Sequence, residues 1–362
     1  MNRTYTTHHI TPFTAALLLS ILLLPNTVLG LSPEHLPSEQ PITPASDQIS
    51  LSLQEQINRA APGDTIILAP TTYNECLRIT KPIHLQGQGT TQTFLSPTSS
   101  MNGYAISISV PQVKISNIDI TNQAPGIYTT AIQINTPNTT IQDCTFHDTP
   151  IGIAIWSSYN TIANCTFTNC NDEGIVLLGT TTNPSHDNTI THCLFSKNCD
   201  GVELQYATTN HITFCSFTAN THAGIDAIES NNNHNIISNC TFTDNQGFGL
   251  YMTRSSENLI TDCSFSEDSI TFVQARNNTL SRSKGAAIHL MKGSHLQIHQ
   301  CTDITESAII SQQSSYEMKT DQPTIIQKHF NQLAYYLSFI QNLLFHYKIS
   351  KLFIEKLHQH RM

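Results

Sequence analysis

Glu203 and Asp226 are the two carboxylates best placed for chemistry in this 362-residue chain, each standing two positions after a glycine, Gly201 or Gly224. Asp172, Glu173, Asp200 and His222 fall one or two positions ahead of comparable glycines, and Tyr251 follows Gly249 by two. Tyr206, Glu229 and Arg254 come three residues after Glu203, Asp226 and Tyr251. Two carboxylates about 5 Å apart can divide into acid and nucleophile, as retaining glycosidases require. Asp200, Glu203 and Asp226 together offer the oxygen ligands that Ca²⁺ prefers. His222 beside Asp226 has the makings of a general base. A merely solvated face explains the same residues, because outward strand positions are normally polar. These readings stay open at the level of sequence.

What brings these residues together is a repeat. Cys144, Cys165, Cys193, Cys215, Cys240 and Cys263 are spaced by 21, 28, 22, 25 and 23 residues. An isoleucine precedes each by three (Ile141 to Ile260) and a phenylalanine follows each by two (Phe146 to Phe265). All but the first copy carry asparagine five positions earlier: Asn160, Asn188, Asn210, Asn235 and Asn258. Each copy holds three short apolar runs parted by turn residues, which are strands and not helices. Isoleucine and cysteine three apart break the period of two, so the chain bends between them. The residue before cysteine is Asp143, Asn164, His192, Phe214, Asn239 or Asp262, four of six being types that tolerate a left-handed corner. Three strands and three corners per copy predict a triangular parallel solenoid, each coil about 4.8 Å above the last. The register then carries Glu203 and Asp226 onto one patch.

The segment Ala60–Gly89, AAPGDTIILAPTTYNECLRITKPIHLQGQG, resembles the first coil of right-handed parallel β-helix proteins of the NosD-like, pectate-lyase-like kind. The N-x-I-x-x-C-x-F…G-I repeat is similar to theirs, and the resemblance spans roughly residues 51–310. Thr71 stands where a glycine is more usual. The resemblance implies an all-β, right-handed parallel β-helix of roughly ten three-stranded coils. It leaves activity open, since the fold hosts lyases, hydrolases, epimerases, binding proteins and adhesins. No lyase or hydrolase motif matches residue by residue, and the Tyr-Gly-containing Asp/His signature of β-helix epimerases is absent. NosD-like proteins imply a link to copper delivery for nitrous oxide reductase. The seventeen histidines here are scattered, without ligand spacing inside the coils, so copper is not expected.

The ends differ from the body. Arg3 and the apolar run Phe13–Leu24 read as a signal peptide over residues 1–30, followed by a linker over 31–50. Ser52 and Glu55 form a capping box opening a short helix that plugs the first coil. The β-helix is expected over 51–316 and an amphipathic helical tail over 317–362, which caps the last coil, lies on a membrane interface or self-associates. Charged residues make up only 12% of the chain. From Leu31 to Tyr316 ten Lys/Arg face twenty-three Asp/Glu, a net of −13. That balance excludes nucleic acid as a partner, which needs clustered cations.

The remaining motifs read as structural. The ladder cysteines point into the core as small apolar residues, and a straight column cannot surround a tetrahedral ion. Cys170 and Cys199, on neighbouring coils outside the ladder, are the candidate disulfide. The asparagine column satisfies the turns by pairing amides up the solenoid. Of the N-x-[ST] sites, Asn138 and Asn277 are expected to be accessible, and Asn164 and Asn239 not, because they abut ladder cysteines. Trp156 and Tyr159 form an aromatic edge near His186 and His234, suited to lining a sugar groove or to packing a corner. The chain thus reads as a secreted, periplasmic or cell-surface β-helix protein binding a polysaccharide or surface component along one face. Its alternatives are a polysaccharide hydrolase, lyase or epimerase, and a NosD-like copper-site accessory protein.

Overall fold

A computed structural model describes residues 51–97, 103–124, 126 and 129–319. The expected signal peptide, the linker before Leu51 and the tail beyond Lys319 lie outside the described residues. The rest is an all-β right-handed parallel β-solenoid of about eleven turns. Every strand pairing is parallel, and three sheets of 12, 9 and 11 strands form the coil walls. A fourth sheet has two strands, Ser185–His186 and Ala207–Thr208, in the corner loops.

One helix, Leu53–Arg59, opens the described chain and buries Leu53 and Ile57 against the first coil. The Ser52 hydroxyl accepts from the Glu55 amide as the capping box requires. Glu75, from the first coil, adds a second cap by accepting from the Leu53 and Gln54 amides at 2.7 and 3.0 Å. The capping helix is therefore tied to the coil it covers.

Each face of the triangle carries one ladder. The first sheet aligns Ile141, Ile162, Ile190, Ile212, Ile237 and Ile260. It continues through Leu280 and Ile298 to Met318, so the strand Ser315–Lys319 extends the solenoid slightly past residue 316. The second sheet stacks Phe146, Phe167, Phe195, Phe217, Phe242 and Phe265, with centroids 4.6–4.9 Å apart and planes within 7°. It ends at Ser264–Ser266, and the last turns are built by the other two sheets. The third sheet aligns Ile153, Ile175, Val202, Ile225 and Leu250 inside the core.

The corners follow the sequence. All six residues before the ladder cysteines have φ between 54° and 56°. Such a corner turns the side chain outward, so Asn164 and Asn239 are exposed like Asn138 and Asn277, against the expectation that neighbouring cysteines would hide them. From the second ladder cysteine onward the Sγ donates to the isoleucine carbonyl one coil below, at 3.6–3.8 Å from Cys165 through Cys263. The ladder thiols are buried filler with a weak polar handle. Cys170 and Cys199 are free thiols as well, so the candidate disulfide does not form.

The asparagine ladder works as expected. Asn188 receives the amide and side chain of Asn160, and Asn210, Asn235, Asn258 and Asn278 repeat this link upward at 2.8–3.1 Å. A second ladder was not anticipated. Asn198, Asn220, Asn245 and Asp268 stack in the same way at the opposite corner. Its signal stands in the sequence, five residues after Cys193, Cys215, Cys240 and Cys263.

Candidate functional site

The outer side of the third sheet holds the candidate site. Its strands Glu173–Leu178, Asp200–Gln205, Ala223–Ile228 and Phe248–Thr253 lie in adjacent coils. The glycine in each strand points inward, where the phenylalanine ladder leaves no room. A Cβ on Gly201 would stand 2.5 Å from the Gly224 carbonyl oxygen and 2.6 Å from the Phe217 ring. Asp200 just before that glycine and Glu203 two positions after it lie on the outer side, while Val202 between them points into the core.

Register fixes two outward columns. Glu173 pairs with Asp200, and Asp200 with Ala223. One step along, Val176 pairs with Glu203, Glu203 with Asp226, and Asp226 with Tyr251. His222 leads into the third of these strands, and its Nδ1 donates to Asp200 Oδ1 at 2.8 Å. The same nitrogen lies 3.5 Å from Asp226 Oδ2. Asp200 Oδ1 also accepts from the Ala223 amide at 2.9 Å, which anchors that carboxylate to the next coil. The His222 ring meets Phe248 edge-on at 5.7 Å and lies 6.2 Å from Tyr251.

This is not the solvated face that outward strand positions would ordinarily give. Glu173, Asp200, Glu203, His222 and Asp226 are all buried, Asp226 to 1% exposure. Burial disfavours the charged form of a carboxyl, and neighbouring charges add to it. Burial, reinforced by Asp200, pushes Glu203 up to about 8. Burial and the charges of Asp200 and Glu203 hold Asp226 well above the carboxylate range. Glu173 is raised in the same way, first by burial and then by the charge of Glu203. Asp172, half-buried at the edge, is raised mainly by burial. Glu203 accepts a short hydrogen bond from the Gln205 side chain. Asp226 Oδ1 is buried and has no hydrogen-bond partner among the described residues.

The structure therefore assembles Glu203, Asp226, His222, Asp172, Glu173, Asp200 and Tyr251 on one patch. It sets three other candidates apart. Tyr206, Glu229 and Arg254 occupy left-handed corner positions with φ of 50°, 63° and 48° at the end of the strands. Three residues of strand put them about 10 Å from the acidic column. There Arg254 and Glu229 pair with each other at 3.8 Å, both half-exposed. The cation that could have met an acidic sugar is thus engaged at the corner. The group with metal-ligand geometry is Asp200, His222 and Asp226, whose ligand atoms lie within 4.8 Å of one another. Glu203, one of the three oxygen donors expected for Ca²⁺, is not in that group, and His222 takes its place. Spacing alone did not reveal this, because His222 reaches Asp200 through the corner and not along a strand.

Beyond the acids the outer face is apolar toward the N-terminal coils, where Ile151, Ala154 and Val176 are buried together with Leu178 against them. Trp156 follows the strand Ile151–Ile155, so its register continues to Leu178 and on to Gln205. It is 48% exposed. Tyr159, at the adjoining corner, meets the His186 ring edge-on at 5.1 Å.

Fold and site together define a parallel β-solenoid with a buried acid–histidine cluster on one face. The chain belongs to the right-handed β-helix region family, matched over residues 83–234, 130–303 and 226–332. No curated protein matches its sequence. Among solved structures it is similar to the gp42 tailspike of Acinetobacter phage vb_AbaP_AS12, at 10% identity over 75% of this chain and 60% of that one, with a TM-score of 0.55. It is also similar to the PL6 family alginate lyase AlyGC, at 13% identity over 76% and 54% with a TM-score of 0.51. Tailspike protein 2 of Escherichia coli O157:H7 bacteriophage CAB120 gives 14% identity over 68% and 39%, with a TM-score of 0.50. At these identities the likeness is one of fold, and the chain spans less than two thirds of each of the three.

Proposed function

We propose that this protein is exported or displayed at the cell surface and binds a polysaccharide along the outer face of the third sheet. The observation that carries the reading is Trp156. A half-exposed tryptophan stands in the same outward column as Gln205, about 10 Å and two coils below it. A sugar ring stacks its apolar face on an aromatic ring, while hydroxyls and amides beyond it bond the ring edge. Gln205, Glu203 and Tyr251 supply such groups. Burial pushes Glu203 up to about 8, so it holds its proton at neutral pH, which suits a neutral glycan better than a polyanionic one. Trp156→Ala should weaken binding to a glycan array at least tenfold without lowering the melting temperature. Unchanged binding by that variant would remove this reading.

A second reading, a polysaccharide hydrolase, lyase or epimerase, is favoured by the proton on Glu203. A carboxyl pushed up to about 8 is a general acid at neutral pH, and Asp226 is its register partner. Product release from a glycan panel separates the two readings. Turnover abolished by Glu203→Gln together with Asp226→Asn supports catalysis, and no turnover by the wild-type protein ends it.

A further inference from the structure

We propose that Asp200, His222 and Asp226 form a site for one divalent transition-metal ion, of the Zn²⁺ or Mn²⁺ class. It lies on the face proposed for glycan but does not depend on that reading.

The donor atoms are already gathered. His222 Nδ1 lies 2.8 Å from Asp200 Oδ1 and 3.5 Å from Asp226 Oδ2, and the set fits within 4.8 Å. Ligands about 2.0–2.2 Å from a shared ion stand roughly 3–3.5 Å apart. Small rotations of the two carboxylates would bring this trio to that spacing. Each ligand comes from the strand bed or the corner feeding it, a rigid support.

A second observation points the same way. Asp226 is 1% exposed, and its Oδ1 has no hydrogen-bond partner among the described residues. Buried carboxyl oxygens are nearly always bonded, and each one left bare carries a desolvation cost. The bare oxygen belongs to the carboxyl whose other oxygen faces His222, so the unfilled valence sits at the cluster. A cation bound there would neutralise Asp200 and Asp226 together and fill it.

The chemistry of the donors selects the ion. Ca²⁺ takes six to eight oxygens, whereas this set offers two carboxylates and an imidazole nitrogen. Imidazole with carboxylate suits Zn²⁺, Fe²⁺ and Mn²⁺, and three protein ligands leave at least one position for water or a sugar hydroxyl. To ligate through Nδ1, neutral His222 carries its proton on Nε2 instead of Nδ1.

The test uses the full chain, stripped with EDTA and then titrated separately with Zn²⁺, Mn²⁺ and Ca²⁺ by calorimetry. Bound metal per chain is counted after gel filtration. One equivalent of Zn²⁺, bound more tightly than Mn²⁺ and far more tightly than Ca²⁺, is expected. Asp226→Asn and His222→Gln should each weaken Zn²⁺ at least tenfold, while Trp156→Ala, and His147→Gln at the separate, partly exposed pair with Asp119, bind it like wild type. No uptake, wild-type uptake in both site variants, or a preference for Ca²⁺ would overturn the proposal. Should a site variant fail to fold, Mn²⁺ broadening of imidazole resonances in the wild-type protein decides. Broadening of one buried histidine supports the site, and broadening of exposed histidines alone refutes it. Because Trp156→Ala tests glycan and not metal, failure of either proposal is read independently of the other.

Discussion

Glu203 and Asp226, twenty-three residues apart in the chain, are register partners in adjacent coils of the third sheet. Among the described residues neither carboxyl has an ion pair with lysine or arginine, and both are buried. The pair is accordingly a cost to the fold. Clusters of that kind mark sites whose chemistry outweighs stability.

That cost predicts an unusual dependence on pH. Glu203 titrates near its ordinary value of 4.5 when unfolded and at about 8 in the native state. Between these values the native protein holds a proton that the unfolded chain has released. Stability is therefore greatest on the acid side and declines as pH rises from about 4.5 to about 8. Glu203→Gln removes the titration while keeping the shape. The melting temperature of this variant should exceed wild type by roughly 2–5 °C at pH 8, with little difference at pH 5. A wild-type slope in the variant would place the effect elsewhere.

The asparagine ladder should be costly to break. Asn210 receives the Asn188 amide and side chain, and donates to the Ser185 carbonyl and Asn235 Oδ1. Asn210→Ala takes partners from buried groups in the coils below and above it and should destabilise by about 3 kcal/mol. Asn231→Ala, at an exposed corner position, serves as the control in the same urea titration.

Gly201 offers a test of coil packing. A methyl group there meets the Gly224 carbonyl oxygen and the Phe217 ring at contacts real Cβ atoms do not show. Gly201→Ala should cost about 1–3 kcal/mol, and it should also disturb the acid cluster, because Asp200 directly precedes it and Glu203 follows two positions on. Near-ultraviolet circular dichroism and chemical denaturation read both effects.

Thiol chemistry should separate the cysteines by depth. Cys144, Cys165, Cys170, Cys193, Cys215, Cys240 and Cys263 are buried, whereas Cys76, Cys199 and Cys301 are half-exposed. Burial pushes Cys170 up to about 12, which keeps it an unreactive thiol at neutral pH. Native protein should react with a thiol reagent at no more than these three positions, and all ten should react in denaturant. Fast labelling of the ladder in the native state would contradict the packed column.

The solenoid was legible because its determinants are local and repeated. Isoleucine three before cysteine, phenylalanine two after it and asparagine five before it each report one position on a coil, and six copies average away the exceptions. Even the bulky corner residue Phe214 obeys the pattern, at φ 54°. The pairing of Glu203 with Asp226 followed from that register by arithmetic. Three features did not. Cys170 and Cys199 are free thiols although the Cys199 amide donates to the Cys170 carbonyl across adjacent coils. Arg254 turns to Glu229, because both sit on the left-handed corner and not on the strand. His222, expected beside Asp226, makes its closer contact with Asp200, at 2.8 against 3.5 Å. A repeat encodes which residues share a column. How deep a column lies, and which side chain crosses from one column to the next, depends on packing between coils, and only the folded chain decides it.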